Sequence, residues 1–246
     1  MKAQGKAPAQ FLLGYTEIMG KGFDSVAVAH FQVGRLRWEM GQHAAALLAF
    51  RRALELDPTD PVTHFNLAHA LERTGKTDDA IASYRRAIDL APNYAKALNN
   101  LARLYEGKKR DTLALFYYQQ AVKYAPDYAL AWNNLGILYG RRGKHRLEAE
   151  AFRQQTKLTP ADPVAWFNLG IAYHRMKEYR AAITAYKKSL SLSPDDKPTH
   201  WHLALAYEST GTWNLANQHW QKVLLLNPTP DEKQTAQKHI AENAGR

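Results

Sequence analysis

Apolar and polar residues follow one another along this chain with the spacing of amphipathic helices. Trp166, Leu169 and Tyr173 fall at i, i+3 and i+7, and Ala182 and Tyr186 lie four residues apart further on. This spacing places each set on one face of a helix. No stretch alternates with a period of two for long enough to indicate a strand. The pattern therefore predicts pairs of amphipathic helices and an all-α fold.

The helix pairs recur with a period of 34 residues. Proline marks this period at Pro58, Pro92, Pro126, Pro160, Pro194 and Pro228. When the first repeat begins at Ala27, position 8 is always glycine or alanine and position 24 is always aromatic. Small residues are needed where two helices cross closely, and proline discourages continuation of the second helix. We predict six repeats, at 27–60, 61–94, 95–128, 129–162, 163–196 and 197–230.

The pattern over residues 27–230 resembles the tetratricopeptide repeat, a family with this period and this consensus. The resemblance implies a right-handed α-solenoid of helix-turn-helix units in which the first helix of each pair lines a concave groove. Such repeats bury their apolar faces only against neighbours, so capping helices are expected at both ends. We predict a disordered start and a capping or docking helix in residues 1–26, with an apolar stripe from Phe11 to Met19. A solvating helix and tail are predicted in residues 231–246.

Composition and charge limit the chemistry and the cellular location that we expect for the protein. The chain has a formal net charge of +10 and contains no cysteine, so disulfides and thiolate chemistry are excluded. No apolar run reaches the 18 residues of a membrane span, and we expect a cytoplasmic protein. Two basic turns, predicted to form a ridge, comprise Lys108, Lys109, Arg110, Arg141, Arg142, Lys144 and Arg146. The ridge is interpreted as a solvated turn, a contact for an acidic protein segment, or a contact for lipid headgroups or nucleic acid.

The candidate binding residues begin with position 6 of the repeats, which reads Gln32, Asn66, Asn100, Asn134, Asn168 and His202. One carboxamide both donates and accepts, so it can hold the C=O and N–H of a peptide unit together. The column resembles the asparagine ladder of the superhelical domain of O-linked N-acetylglucosamine transferase, which grips the backbone of an extended peptide. The alternative is that asparagine here is only inherited consensus.

Neighbouring columns predict the polarity of the groove. Position 9 is basic in the first three repeats and aliphatic later, and position 5 is aromatic near both ends. The further predicted groove residues are Asn99, Asn133, Arg35, His69, Arg103, Arg73, Arg141, Arg175, Phe65, Phe167 and Trp201. We expect an extended ligand with one acidic or polar end and one apolar end. Position 5 aromatics that pack between repeats would weaken this expectation.

Repeat four departs from the pattern, because Glu148 stands at position 20, where the other five repeats have alanine. A buried carboxylate without a partner would cost several kcal/mol or take up a proton. We expect the second helix to shift, or Glu148 to reach a basic neighbour such as His145 or a residue on the adjoining helix. On this interpretation, Glu148→Ala raises the melting temperature.

The chain carries no HExxH, phosphate-binding glycine loop or nucleophile elbow, so no catalytic residue, metal site or cofactor is predicted. The residues of the carboxylate clamp found in some chaperone adaptors of the family are also missing. We predict a non-catalytic scaffold or adaptor that binds an extended, partly acidic protein segment in its groove, for example during complex assembly. Two alternatives stay open, namely a self-assembling structural protein and a basic module that contacts a membrane surface or RNA.

Overall fold

A computed structural model describes residues 23–245, and this part of the chain contains thirteen α-helices and no strands. The helices are α1 Phe23–Glu39, α2 His43–Leu56, α3 Pro61–Arg73, α4 Thr77–Leu90, α5 Ala95–Gly107, α6 Asp111–Tyr124, α7 Ala129–Arg141, α8 His145–Leu158, α9 Pro163–Arg175, α10 Tyr179–Leu192, α11 Lys197–Ser209, α12 Trp213–Leu225 and α13 Pro230–Asn243. The predicted all-α class is confirmed. The predicted stripe from Phe11 to Met19 lies outside the described residues.

The turn inside each helix pair contains one residue with left-handed backbone geometry. Glycine fills this position in four turns, at Gly41, Gly75, Gly143 and Gly211, with φ between 67° and 79°. Lys109 and Lys177 occupy it in the other two turns, with φ of 58° and 62°. Glycine adopts this conformation without steric cost, so its recurrence marks the turn in four repeats. The period of 34 residues locates the same turn in the two repeats that have lysine there.

The periodic proline has a hydrogen-bonding role as well as a helix-ending one. The side chain at position 4 of a following repeat donates a ring N–H to the carbonyl of the proline six residues earlier. The pairs are His64 with Pro58 at 3.1 Å, Trp132 with Pro126 and Trp166 with Pro160 at 2.9 Å, and His200 with Pro194 at 2.9 Å. This bond ties the start of one helix pair to the end of the pair before it. Position 4 therefore has a structural role in these four repeats.

The chain divides into an N-terminal half, up to Ala125, and a C-terminal half, from Pro126. Within the N-terminal half, α1 to α6 pack in consecutive order, each against the next. Gly34 lies so close to the ring of Phe50 that an added Cβ would stand 2.6 Å from ring carbons. The small residue at position 8 is thus required by the aromatic residue at position 24 of the same repeat.

Within the C-terminal half, α7 to α13 also pack in consecutive order. The same contact between positions 8 and 24 recurs, because a Cβ on Gly136 would stand 2.8 Å from the ring of Phe152. Gly170 faces the fully buried Tyr186 in the same way. These pairs form the repeating unit of a core that extends from one helix pair to the next, as in an α-solenoid.

The last helix, α13, covers the end of repeat six. Ala236 and Ile240 pack against Trp220, and the side chains of His239 and Asn243 reach Glu208 at 3.0–3.1 Å and 2.7 Å. The Trp220 ring N–H donates to the same carboxylate at 2.8 Å. A capping box at Thr229 and Glu232 starts the helix. Among the helices of residues 23–245, none is long and apolar enough to cross a membrane.

Candidate functional site

The asparagines of position 6 take part in hydrogen bonds inside the scaffold. In the N-terminal half, Asn100 donates to the Tyr84 hydroxyl at 3.1 Å and accepts from the buried Asn99 at 3.2 Å. Tyr84 in turn donates to Glu72 at 3.2 Å, and Arg103 forms an ion pair with Glu72. This network joins the first helix of repeat three to both helices of repeat two. Burial is the main reason that the pKa of Tyr84 is raised.

The other three asparagines of the column have different partners. Asn66 donates to the Val62 carbonyl of its own helix at 2.8 Å. In the C-terminal half, Asn134 accepts from Asn133 at 3.3 Å, and Asn168 donates to Asn133 at 3.4 Å. Each amide therefore uses part of its bonding capacity on the protein itself. The use of this column to grip a peptide backbone stays a prediction.

We expect Asn100→Ala to lower the free energy of unfolding by about 1 kcal/mol, a typical net value for a hydrogen bond. The buried Tyr84 hydroxyl would lose this donor, and Asn99 would lose this acceptor. Urea unfolding measures the loss, and Gln32→Ala, at the exposed member of the column in α1, is the matched control. Equal stability of the two variants would contradict a structural role for Asn100.

A second column explains why repeat four is different. Position 12 is glutamate in repeats two, three and six, and in each case it accepts a bond from the polar aromatic side chain at position 24. The pairs are Glu72 with Tyr84, Glu106 with Tyr118, and Glu208 with Trp220. Repeat four has Gly140 and Phe152 at these two positions. It therefore lacks both the carboxylate and the polar hydrogen that bond each other in those three repeats.

Glu148 occupies the space that Gly140 leaves. Its side chain is 2% exposed, and its two oxygens bind Arg175 at 2.5 Å and His145 at 2.9 Å. The expectation that Glu148 reaches His145 or the adjoining helix is confirmed, and α8 continues without a break from His145 to Leu158. That Glu148→Ala raises the melting temperature stays an untested prediction, and the two bonds to Glu148 argue against it.

A pocket of about 200 Å³ opens beside this ion pair in the C-terminal half. Its lining comes from α7, α8 and α9, and comprises Ile137, Gly140, Arg141, Glu148, Phe152, Asn168, Ile171 and Arg175. Ile137 and Ile171 both stand at position 9 of their repeats, so the apolar wall repeats from one helix pair to the next. The pocket brings together three residues predicted for the groove, namely Asn168, Arg141 and Arg175.

Other predicted groove residues lie apart from this pocket. Arg35, Arg73 and Arg103 are exposed on first helices of the N-terminal half, and Arg103 is held by Glu72. His69 is half-buried near Trp38, and burial is the main reason that its pKa is lowered.

The aromatic residues of position 5 pack against other rings of their own repeat, and Phe167 also contacts His202 of the next repeat. Phe65 lies 5.6 Å from Tyr84 and 5.0 Å from Tyr94, measured between ring centroids. Phe167 lies 6.0 Å from Tyr186, and Trp201 lies 4.8 Å from Trp220. These contacts weaken the expectation that the position 5 rings are offered to a ligand.

The two basic turns lie in different halves of the chain. In the N-terminal half, Lys108 forms an ion pair with Asp78, and Lys109 and Arg110 are exposed. In the C-terminal half, Arg141, Arg142, Lys144 and Arg146 are all exposed between and around the ends of α7 and α8. The second turn adjoins the pocket through Arg141.

His202, the last member of the position 6 column, is packed between rings of Phe167 and Tyr186. Burial first, and then the nearby His174 and Arg175, lower the pKa of His202 to about 4. In the unfolded chain the pKa of a histidine is near 6.5. Between about pH 4 and 6.5 the unfolded chain therefore binds more protons than the folded chain. Stability is therefore lost as the pH falls from about 6.5 towards 4.

We expect His202→Phe to reduce this acid-induced loss of stability, because phenylalanine keeps the ring contacts and cannot take up a proton. Melting temperatures measured from pH 7 down to pH 4 test the effect. We expect a partial reduction, because burial also lowers the pKa of His219 to about 4 and this residue contributes to the same loss. The interval above about pH 8, where His202 is neutral in both states, is the internal control. Parallel curves for both proteins at acid pH would contradict the assignment.

Sequence profiles of the tetratricopeptide repeat match most of the repeat array. They cover residues 34–75, 61–127, 117–149 and 163–196. No curated protein sequence matches the chain.

Solved structures resemble the chain over most of its length. A structure from a study of Pseudomonas aeruginosa PilF is 22% identical, with a TM-score of 0.71, and covers 89% of this chain and 99% of that one. The C-terminal part of a repeat protein from Cytophaga hutchinsonii is 21% identical, with a TM-score of 0.73, over 87% and 88% of the two chains. YrrB, described as having an unusual peptide-binding site, is 18% identical, with a TM-score of 0.71, over 77% and 98%. At these identities the likeness concerns the fold.

Proposed function

The chain belongs to the tetratricopeptide repeat family, and on that premise we propose that it is a non-catalytic scaffold that holds an extended segment of a partner protein. The family fold supports protein–protein interaction in general. The finer proposal concerns where the segment binds. We place its main contact on the first helices of the C-terminal half, around the pocket between α7 and α9.

The observation that carries this proposal is the exposed apolar surface of α7 and α9. Leu130, Ile137 and Val164 are 51%, 42% and 57% exposed, at positions 2 and 9 of their repeats. Positions 2 and 9 are seven residues apart, so they share one helix face. The same face contains the pocket lined by Ile137 and Ile171. Exposed apolar surface beside a shaped pocket is typical of a site that a partner covers.

The asparagine column has a secondary part in this proposal. A carboxamide has two N–H groups and one carbonyl oxygen, and Asn168 at the pocket uses one N–H on Asn133. Its remaining groups can bond the backbone of an extended segment, while the pocket takes a side chain. Selectivity then comes mainly from the pocket, since single backbone bonds contribute only about 0.5–1.5 kcal/mol each.

Photo-crosslinking from Leu130 in native extract tests the proposal. We expect a crosslinked partner protein, identified by mass spectrometry, whose yield falls at least tenfold with Ile137→Asp, because a carboxylate in the apolar wall must be desolvated on binding. Leu147→Asp is the matched control, since Leu147 in α8 is 46% exposed and does not line the pocket. A crosslink yield that both substitutions leave unchanged would contradict the proposal. Crosslinks only to a second copy of the chain would favour self-assembly instead.

A further inference from the structure

The pocket in the C-terminal half has the size of a single side chain. Its volume of about 200 Å³ is below the roughly 300–1,000 Å³ of pockets that enclose whole small molecules. Ile137 and Ile171 provide aliphatic surface in the lining, and Phe152 at position 24 adds aromatic surface. An aliphatic side chain of an extended segment fits this surface and this volume.

The pocket also lies where repeat four departs from three other repeats. In repeats two, three and six, the carboxylate at position 12 bonds the hydroxyl or ring N–H at position 24. Gly140 and Phe152 leave no such bond in repeat four. A Cβ on Gly140 would stand 2.7 Å from the carboxyl carbon of Glu148 and 2.8 Å from Nη1 of Arg175. The pocket with its ion pair therefore depends on glycine at this position.

The charges around the pocket favour a carboxylate on the ligand. Glu148 is compensated, because Arg175 and His145 bind its two oxygens. Arg141 adds a second positive charge, so the lining contains two arginines and one glutamate. Arg175 is 47% exposed, and a guanidinium has five N–H donors, so it can bind a second carboxylate while it keeps Glu148.

We infer that the pocket selects an extended protein segment in which an aliphatic residue is followed or preceded, within two residues, by aspartate or glutamate. This inference rests on the proposed function and specifies its ligand. The aliphatic side chain enters between Ile137 and Ile171, and the carboxylate binds at Arg141 and Arg175. Complementary charge of this kind raises association rates and discriminates against basic segments.

Selection from a displayed library of random 12-residue peptides, against the immobilised full chain, tests the inference. We expect enriched peptides to combine an aliphatic residue with an acidic one within two positions. Their affinity should fall at least tenfold with Ile137→Asp and with Arg141→Glu. The controls Leu147→Asp and Lys188→Glu change an exposed apolar and an exposed basic residue outside the pocket, and should leave the affinity unchanged.

The outcomes separate the inference from the function on which it rests. Enriched peptides that depend on Ile137 but carry basic or no charged residues would overturn the acidic ligand and leave pocket binding intact. Enriched peptides that neither pocket variant weakens would overturn the pocket as the selecting element, while a scaffold that binds elsewhere would remain. A library from which the full chain enriches nothing would overturn both the inference and the proposed peptide-binding function.

Discussion

Replacing Arg175 with methionine is expected to lower the free energy of unfolding by about 2–4 kcal/mol. Glu148 is 2% exposed and would keep only His145 as a partner. Removing one member of a buried ion pair leaves a charge without compensation, which typically costs about 3–5 kcal/mol. The remaining bond to His145 reduces that figure here. Urea unfolding measures the loss, and hydrogen exchange in α8 and α9 locates it.

Two comparisons make this prediction specific. Arg180→Met changes another exposed arginine of the same half, and should cost less than about 0.5 kcal/mol, as surface substitutions usually do. Glu148→Ala should cost less than Arg175→Met, because the arginine left behind is half-exposed and can be hydrated. If Arg175→Met were no more destabilising than Arg180→Met, the ion pair would not support the structure.

We expect the effect of Gly140→Ala on the free energy of unfolding to have opposite signs with glutamate and with alanine at position 148. In the natural sequence, the new Cβ would displace the carboxylate of Glu148 from Arg175, and we expect a loss of about 1–3 kcal/mol, the usual cost of overpacking. In a Glu148→Ala background the carboxylate is absent, and the exposed Arg175 side chain, no longer held by Glu148, can move away from the new Cβ. Alanine should then stabilise α7 by about 0.5–1 kcal/mol over glycine, through helix propensity.

A double-mutant cycle in urea measures this coupling between positions 140 and 148. Gly107→Ala is the matched control, because Gly107 also lies in the last turn of a first helix and has open space around its Cβ position. Its effect should be the same with and without the Glu148→Ala substitution. Equal effects of Gly140→Ala in both backgrounds would show that the glycine does not make room for the ion pair.

The fold was predictable because its determinants repeat within the sequence. The proline column, the small residues at position 8 and the aromatic residues at position 24 each mark a contact within one repeat or with its neighbour. Lys109 and Lys177 show where this signal weakens, since they adopt left-handed geometry without the glycine that indicates it. Because the period recurs six times, it can still be recognised in the sequence despite two such exceptions.

The bonding of the candidate site was harder to predict, because its partners come from different repeats. The asparagine column was visible, but the partner of Asn100 is Tyr84, 16 residues away on the preceding helix pair. Glu148 was recognised as unusual, whereas its partner Arg175 lies 27 residues further along the chain. Gly140 was the sequence feature that could have indicated this difference. Glutamate fills the same position in three other repeats, so glycine there indicates that repeat four lacks the carboxylate.

The measurement that tests the central claim most directly is methyl NMR of the full chain with isoleucine labelled, during titration with a peptide enriched from the library. The account predicts that the resonances of Ile137 and Ile171, which line the pocket, shift in proportion to occupancy. Ile81, Ile88 and Ile240 do not line the pocket, and their resonances should stay in place. Binding that shifts those three resonances and leaves Ile137 and Ile171 unmoved would contradict the account.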